Sequence, residues 1–251
     1  MPSVRHYNLL GATGLRVSDI GFGAGGTTDP ALIEYALDRG INYFDTAESY
    51  ARGQSERAIG VVAARRRAEM VICTKLEMNG RTTQQDVFTR MDASLERLQT
   101  DHVDILMIHG GAPDALTNPE IYAAFDSLKA RGKIRFCGAS HHGPGIAAAL
   151  RPLIAAGRLD VILCSYDPIG DPDIPAMLAE ARAKGTGLVA MKVLASARQA
   201  QLPEFESGAY PFHLAALRWA LKGSGMHTAL ASFNMMDQID EYLQASGAAL
   251  E

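Results

Sequence analysis

Eight times along the chain, a short β-branched or apolar run is followed by turn residues and then by an amphipathic stretch of about ten to sixteen residues. The runs are Val17 to Phe22, Ile41 to Asp45, Met70 to Lys75, Val103 to His109, Ile134 to Ser140, Val161 to Tyr166, Gly187 to Lys192 and Thr228 to Ser232. Helical patterns lie between them, among them Pro30 to Asp38, Gln84 to Leu98, Pro119 to Ala130 and Pro175 to Lys184. Asp29-Pro30 and Asn118-Pro119 each set a capping side chain before a proline at the first helical position, and Gly40, Gly132 and Gly185 fall just past helix ends. Sequential parallel strands with right-handed crossovers either close into a barrel or leave exposed edges. Eight units therefore predict a closed (β/α)8 TIM barrel. The 251 residues match the roughly 250 such barrels use, so the whole chain, 1–251, reads as one domain without a linker. Ahead of the first unit, Arg5 to Leu15 reads as a β-hairpin around Gly11-Ala12-Thr13-Gly14 that covers the barrel floor. Leu194 to Tyr210, poor in helix signals, is expected as a loop over the opposite face.

Composition narrows the function classes. With 24 basic against 28 acidic side chains the formal net charge is −4, and nucleic-acid binding needs a concentrated positive face that this balance does not offer. The longest basic run, Arg65-Arg66-Arg67, follows a helical pattern and reads as a solvated helix end. No apolar run approaches the roughly 18 residues of a membrane helix, and Met1 to His6 lacks the order of a signal peptide. Cys73, Cys137 and Cys164 are odd in number, far apart and each inside an apolar run, which suits reduced core residues of a cytoplasmic protein.

In such barrels the chemistry sits at the carboxyl ends of the strands. Asp45 ends the second run with Tyr50 five residues on, Lys75 ends the third and His109 the fourth. Each has a plain alternative: a capping Asp, a packing Tyr, a snorkelling Lys, a satisfied core His. Together they point further. A lysine ending Met70-Val71-Ile72-Cys73-Thr74 needs a partner if it is buried charged, and Asp45 on the adjacent strand supplies one. An ammonium beside Tyr50 favours phenolate and lowers the phenol pKa, which would let the tyrosine act as a general acid toward a carbonyl oxygen.

These residues resemble the aldo-keto reductase family. Asp45-Thr46-Ala47-Glu48-Ser49-Tyr50 matches its Asp-Thr-Ala-x-x-Tyr pattern, Thr74-Lys75 its strand-ending Thr-Lys, and Ile105-Leu106-Met107-Ile108-His109 its apolar run closed by His. Leu10 to Ser18, Gly53-Gln54-Ser55-Glu56, Leu95 to Leu98 and Lys129 to Ser140 extend the similarity along most of the chain. The resemblance implies an NADPH-dependent reduction of aldehyde or ketone carbonyls, with Tyr50 as proton donor, Lys75 and Asp45 tuning it and His109 orienting the substrate.

It also implies a cofactor site. Ser140-His141 stands where a Ser-Asn pair holds the nicotinamide carboxamide, and Leu163 where a glutamine helps. Met191, beside Lys192, replaces a stacking aromatic, and Gly23 borders the same space. In the last unit Ser232 and Asn234 replace a glycine and a basic residue, while Gln238 and Glu241 fall on adenine-facing positions. No Lys or Arg follows Lys222, so NADH stays open beside NADPH. A short chain implies an open pocket for a small carbonyl substrate. Those departures also leave room for an aldo-keto-reductase-like binding or regulatory protein. Two enzymatic rivals carry less: Gly21-Phe22-Gly23-Ala24-Gly25-Gly26 fits a dinucleotide fingerprint, but the helix starts too late, at Asp29-Pro30, to hold a pyrophosphate there. The histidines His109, His141 and His142 lack the strand-end partners of a metal hydrolase, so no metal is expected.

Overall fold

The structure, a computed structural model, describes residues 1–143, 145–167, 171–194, 202–223 and 225–250. A hairpin of β1 (Tyr7–Leu9) and β2 (Arg16–Ser18) precedes eight parallel strands: β3 (Ile20–Gly23), β4 (Tyr43–Asp45), β5 (Val71–Glu77), β6 (Val103–His109), β7 (Ile134–His141), β8 (Val161–Ser165), β9 (Gly187–Met191) and β10 (Thr228–Ala231). They pair in chain order and β10 closes onto β3, so the expected (β/α)8 barrel is present. Around it run α1 (Pro30–Asp38), α2 (Gln54–Arg66), α3 (Gln84–Leu98), α4 (Pro113–Leu116), α5 (Pro119–Ala130), α6 (Ile146–Ala155), α7 (Ile174–Ala183), α8 (Pro203–Glu206), α9 (Phe212–Leu221) and α10 (Met236–Tyr242).

Helix starts follow the caps read from the sequence. Asp29 accepts from the Ala31 amide at 2.9 Å and Asn118 from the Glu120 amide at 2.9 Å. Thr83 and Asp86 form a reciprocal capping box on α3, supplying partners to amides that no helical carbonyl reaches.

The strands alternate between two apolar layers. Tyr43, Val71, Cys73, Ile105, Met107, Val161, Leu163 and Val189 point into the barrel, where Leu10, Leu15 and Val17 of the hairpin close the lower end. Phe44, Ile72, Leu106, Ile162 and Leu188 point outward against the helices. Each such side chain contributes roughly 1.5–3 kcal/mol through burial. The floor sits tightly on the barrel: a Cβ on Gly187 would lie 2.7 Å from Leu10 Cγ.

The boundary between hairpin and barrel differs from the sequence reading. Val17, expected in the first barrel strand, belongs to β2, and the barrel begins at Ile20. The break is at Asp19, whose buried carboxylate accepts from the Ser246 hydroxyl at 2.7 Å and the Gly247 amide at 2.6 Å, tying the end of the described chain to the floor. Arg65, Arg66 and Arg67 are held within the molecule, facing Glu34, Asp38 with Glu69, and Asp104 respectively. Of the expected loop Leu194 to Tyr210, positions 195–201 lie outside the described residues. Among the described residues no helix is long and apolar enough to cross a membrane.

Candidate active site

Strand register brings the charged side chains together. Asp45 pairs with Cys73 across β4 and β5, which sets Lys75 one inward position higher, and Glu77 pairs with His109 across β5 and β6. Tyr50 comes from the loop after β4. That loop is fastened to the barrel by the Thr46 amide on Cys73 O (2.8 Å) and the Glu48 amide on Lys75 O (3.1 Å). Below it, the Thr46 and Ser55 hydroxyls meet at 2.7 Å and Ser55 donates to Ala24 O at 2.7 Å. Fully buried Glu56 accepts from the Thr74 hydroxyl at 2.5 Å and from Arg97 Nε at 2.6 Å. The segment Gly53 to Glu56, noted in the sequence only as a similarity, is therefore the brace of the Tyr50 loop. What the sequence did not signal is the backbone between them: Ala51 (φ 48°) and Arg52 (φ 56°) are left-handed without being glycine, at a cost of about 1–2 kcal/mol each.

Lys75 is 1% exposed and Asp45 3%. Lys75 Nζ donates to Asp45 Oδ2 and to Thr46 O, both at 2.7 Å, and stands 3.3 Å from Tyr50 Oη. The Tyr50 ring meets the His109 ring edge-on, with centroids 5.4 Å apart and planes at 84°. The four residues predicted as a set thus converge on one point. Burial pushes the Lys75 ammonium toward neutrality, but Asp45, Tyr50 and Cys73 together outweigh it and hold the amine above its ordinary range. Burial also raises the Asp45 carboxyl, opposed by Lys75.

For Tyr50 the expected lowering is reversed. Burial raises the phenol, Lys75 draws it down, Asp45 raises it again, and the net direction is up. The tyrosine therefore keeps its proton through the neutral range. His109 is pushed down to about 4 by burial and by the nearby Lys75 charge, so its imidazole is neutral at ordinary pH. Its buried Nδ1 has no hydrogen-bond partner.

Beside this cluster opens a cleft of about 300 Å³ lined by Gly23, Asp45, Tyr50, Met191, Lys192 and Ser232, among others. On the β3 side of the cleft, a Cβ on Gly23 would lie 3.4 Å from both Ala231 O and Ser232 Oγ, so this strand packs against the last one through a bare glycine face. A thioether, a glycine face and a hydroxyl around a slot of this size fit a flat, amide-bearing ring such as nicotinamide. A buried cluster of titratable side chains thus adjoins a slot that a flat ring would fit.

The aldo/keto reductase family model matches residues 27–202, more than half of the chain. The chain belongs to the aldo-keto reductase family. Membership places the chain among the NAD(P)H-dependent oxidoreductases. It is similar to the L-galactose dehydrogenase of Arabidopsis thaliana, 29% identical over 94% of this chain and 86% of that protein. A probable voltage-gated potassium channel subunit beta of rice is 35% identical, over 45% of this chain and 39% of that one. Among solved structures, the holo form of an aldo-keto reductase from Bacillus halodurans superimposes with a TM-score of 0.80 at 25% identity, covering 98% and 91% of the two chains. A Pseudomonas aeruginosa protein shares the fold, with a TM-score of 0.83 at 23% identity over 100% and 99%.

The other residues that the sequence offers for a cofactor lie less closely together. Ser140 is buried in register with inward-facing Leu163, whereas His141 is in register with Cys164 of the outer layer, so the pair faces opposite ways. His141 Nδ1 accepts from the Gly143 amide at 3.1 Å. Asn234 is exposed. Gln238 Oε1 accepts from the Asn234 amide at 2.8 Å, and Glu241 Oε1 lies 2.8 Å from His213 Nε2. Gln238 is thus engaged by the protein's own backbone, and Glu241 has the His213 imidazole beside it.

Proposed function

We propose that this protein reduces small aldehydes or ketones to alcohols, with Tyr50 giving the proton. The observation that carries the reading is the Tyr50 hydroxyl 3.3 Å from a buried, ion-paired Lys75, edge-on to a neutral His109, at the wall of the Met191–Ser232 slot. Gly23, Ser140, Met191, Lys192 and Ser232 would hold the nicotinamide end of NADPH, or of NADH. When bound, the reduced cofactor supplies a hydride to the carbonyl carbon.

The residues then have separable tasks. Neutral His109 can donate an N–H to the carbonyl oxygen and fix its position. Tyr50 passes its proton to that oxygen as negative charge develops there, which its raised pKa permits by keeping it protonated beforehand. The phenolate that results lies against the Lys75 ammonium, a fixed positive charge in a water-poor setting. Asp45 and Thr46 O hold that ammonium in place from the other side. Without a basic residue after Lys222, discrimination for a 2′-phosphate has little electrostatic support, so NADH is expected to serve as well as NADPH within about one order of magnitude.

The similarity to an L-galactose dehydrogenase makes hydroxylated aldehydes the first compounds to try. Reduced buried cysteines suit a cytoplasmic setting. The test is a fluorescence titration with NADPH and with NADH, followed by an aldehyde panel. Saturable binding and turnover are expected. Failure to bind either cofactor at millimolar concentration would contradict the enzyme reading. It would favour a binding or regulatory role, the alternative raised by the channel-subunit relative and by the engaged Gln238 and Glu241.

A further inference from the structure

Beneath the ion pair, two buried polar atoms lack hydrogen-bond partners: Asp45 Oδ1, the carboxylate oxygen that Lys75 does not reach, and Tyr43 Oη. Both belong to β4, two residues apart, and so face the same interior. Cys73 stands in register with Asp45 on β5, fully buried and packed with Tyr43 in the inner layer. Its thiol therefore stands on the same inner face as both. An orphaned carboxylate oxygen in a barrel core is costly, and two proton-bearing groups are at hand to serve it.

We propose that Tyr43 and Cys73 form a buried donor chain, Tyr43 O–H to Cys73 Sγ and Cys73 S–H to Asp45 Oδ1, that holds the carboxylate ionised opposite Lys75. Neither donor gives up its proton: burial pushes the Cys73 thiol and the Tyr43 phenol far above their ordinary ranges. A neutral S–H or O–H can only donate to a carboxylate, and donation to the charged form favours that form. Asp45 thereby receives support from two sides, the ammonium above and the thiol below. Other titratable groups on this side are Tyr50 in the loop above, Lys192 across the cleft, His109 on β6 and, acting on Tyr43, Asp104. Tyr43 and Cys73 are positioning residues, acting on the reaction only through Asp45 and Lys75. That consequence rests on the reduction proposed above, whereas the donor chain does not.

The experiment follows the Asp45 side-chain carboxyl by carbon-13 NMR against pH in the full chain, for the wild type, Cys73→Ala, Cys73→Ser and Tyr43→Phe. Losing a donor should raise the Asp45 midpoint, by about one pH unit for Cys73→Ala and by less for Tyr43→Phe. Cys73→Ser, which restores a donor, should return it toward the wild-type value. Tyr43→Phe and Cys73→Ser keep the core nearly filled, so the outcome does not hinge on how well Cys73→Ala folds. Unchanged midpoints in both Cys73→Ala and Tyr43→Phe would overturn the chain. A shift in Cys73→Ala with none in Tyr43→Phe would remove Tyr43 from it. Because the readout needs no substrate, an inactive protein with shifted midpoints would contradict the proposed reaction and leave the donor chain standing.

Discussion

On β4, β5 and the loop after β4 the charged and polar side chains that face the cleft are bonded to one another, with His109 of β6 against the Tyr50 ring, whereas from β7 onward the cleft is lined by the separate side chains of Met191, Lys192 and Ser232. Lys75 has two acceptors at 2.7 Å and the Tyr50 hydroxyl at 3.3 Å. On the other side Leu163 faces inward, His141 faces the outer layer, Gln238 accepts from the Asn234 amide, and Glu241 lies beside His213. Under the proposed function, the difference follows from what each half would do. A buried charge has few tolerable neighbours, so proton-handling groups must come as a connected set. A cofactor can be gripped by backbone, glycine faces and a thioether, which impose weaker demands on residue type.

The contrast can be broken or sharpened by substitution. Lys75→Met strikes the connected half and should have the largest effect, because it strands Asp45 as a buried, uncompensated charge. Urea unfolding should register a loss of about 3–5 kcal/mol, and turnover should fall by at least about 100-fold. An intact Tm with normal turnover would mean the ion pair is dispensable.

His109 gives a pH signature from the same half. Its folded pKa of about 4 lies below its ordinary 6.5, so on acidification the unfolded chain takes up the proton first. Its contribution is complete above 6.5 and is lost as pH falls from 6.5 toward 4. A plot of Tm against pH should be flatter in that window for His109→Gln than for the wild type.

Smaller still is the effect expected at the left-handed turn that carries Tyr50. Ala51→Gly should relieve the positive φ of 48° and stabilise the protein by roughly 0.5–1 kcal/mol in the same unfolding assay. Smallest is the effect on the loosely connected side. Glu241→Gln should alter cofactor affinity by less than about twofold in a fluorescence titration, since the carboxylate already sits 2.8 Å from His213. A tenfold loss there would show that the second half depends on specific side-chain contacts as strongly as the first.

The barrel was legible because strand and helix periods and cap residues are local signals: α1 and α5 begin where Asp29-Pro30 and Asn118-Pro119 say they should. The hairpin boundary was not, because Val17 is as apolar as a barrel residue and only the long-range bonds of Asp19 to Ser246 and Gly247 separate it from Ile20. The convergence of Asp45, Tyr50, Lys75 and His109 was legible from their places at neighbouring strand ends. The upward direction of the Tyr50 pKa was not, because spacing reveals an adjacent ammonium but not the depth of burial that outweighs it. Likewise, the sequence offers Gln238 and Glu241 as free polar groups, and only the fold discloses Asn234 and His213 against them.

Tyr50→Phe tests the central claim most directly, because it deletes one oxygen from the connected half and keeps the ring that lines the slot. Cofactor titration and carbonyl reduction would be measured side by side on the wild type and the variant. The expected result is cofactor affinity within about twofold of the wild type, with reduction slowed by a factor of roughly 10²–10⁴. A variant that reduces the same carbonyl at the wild-type rate would contradict the assignment of Tyr50 as the proton donor.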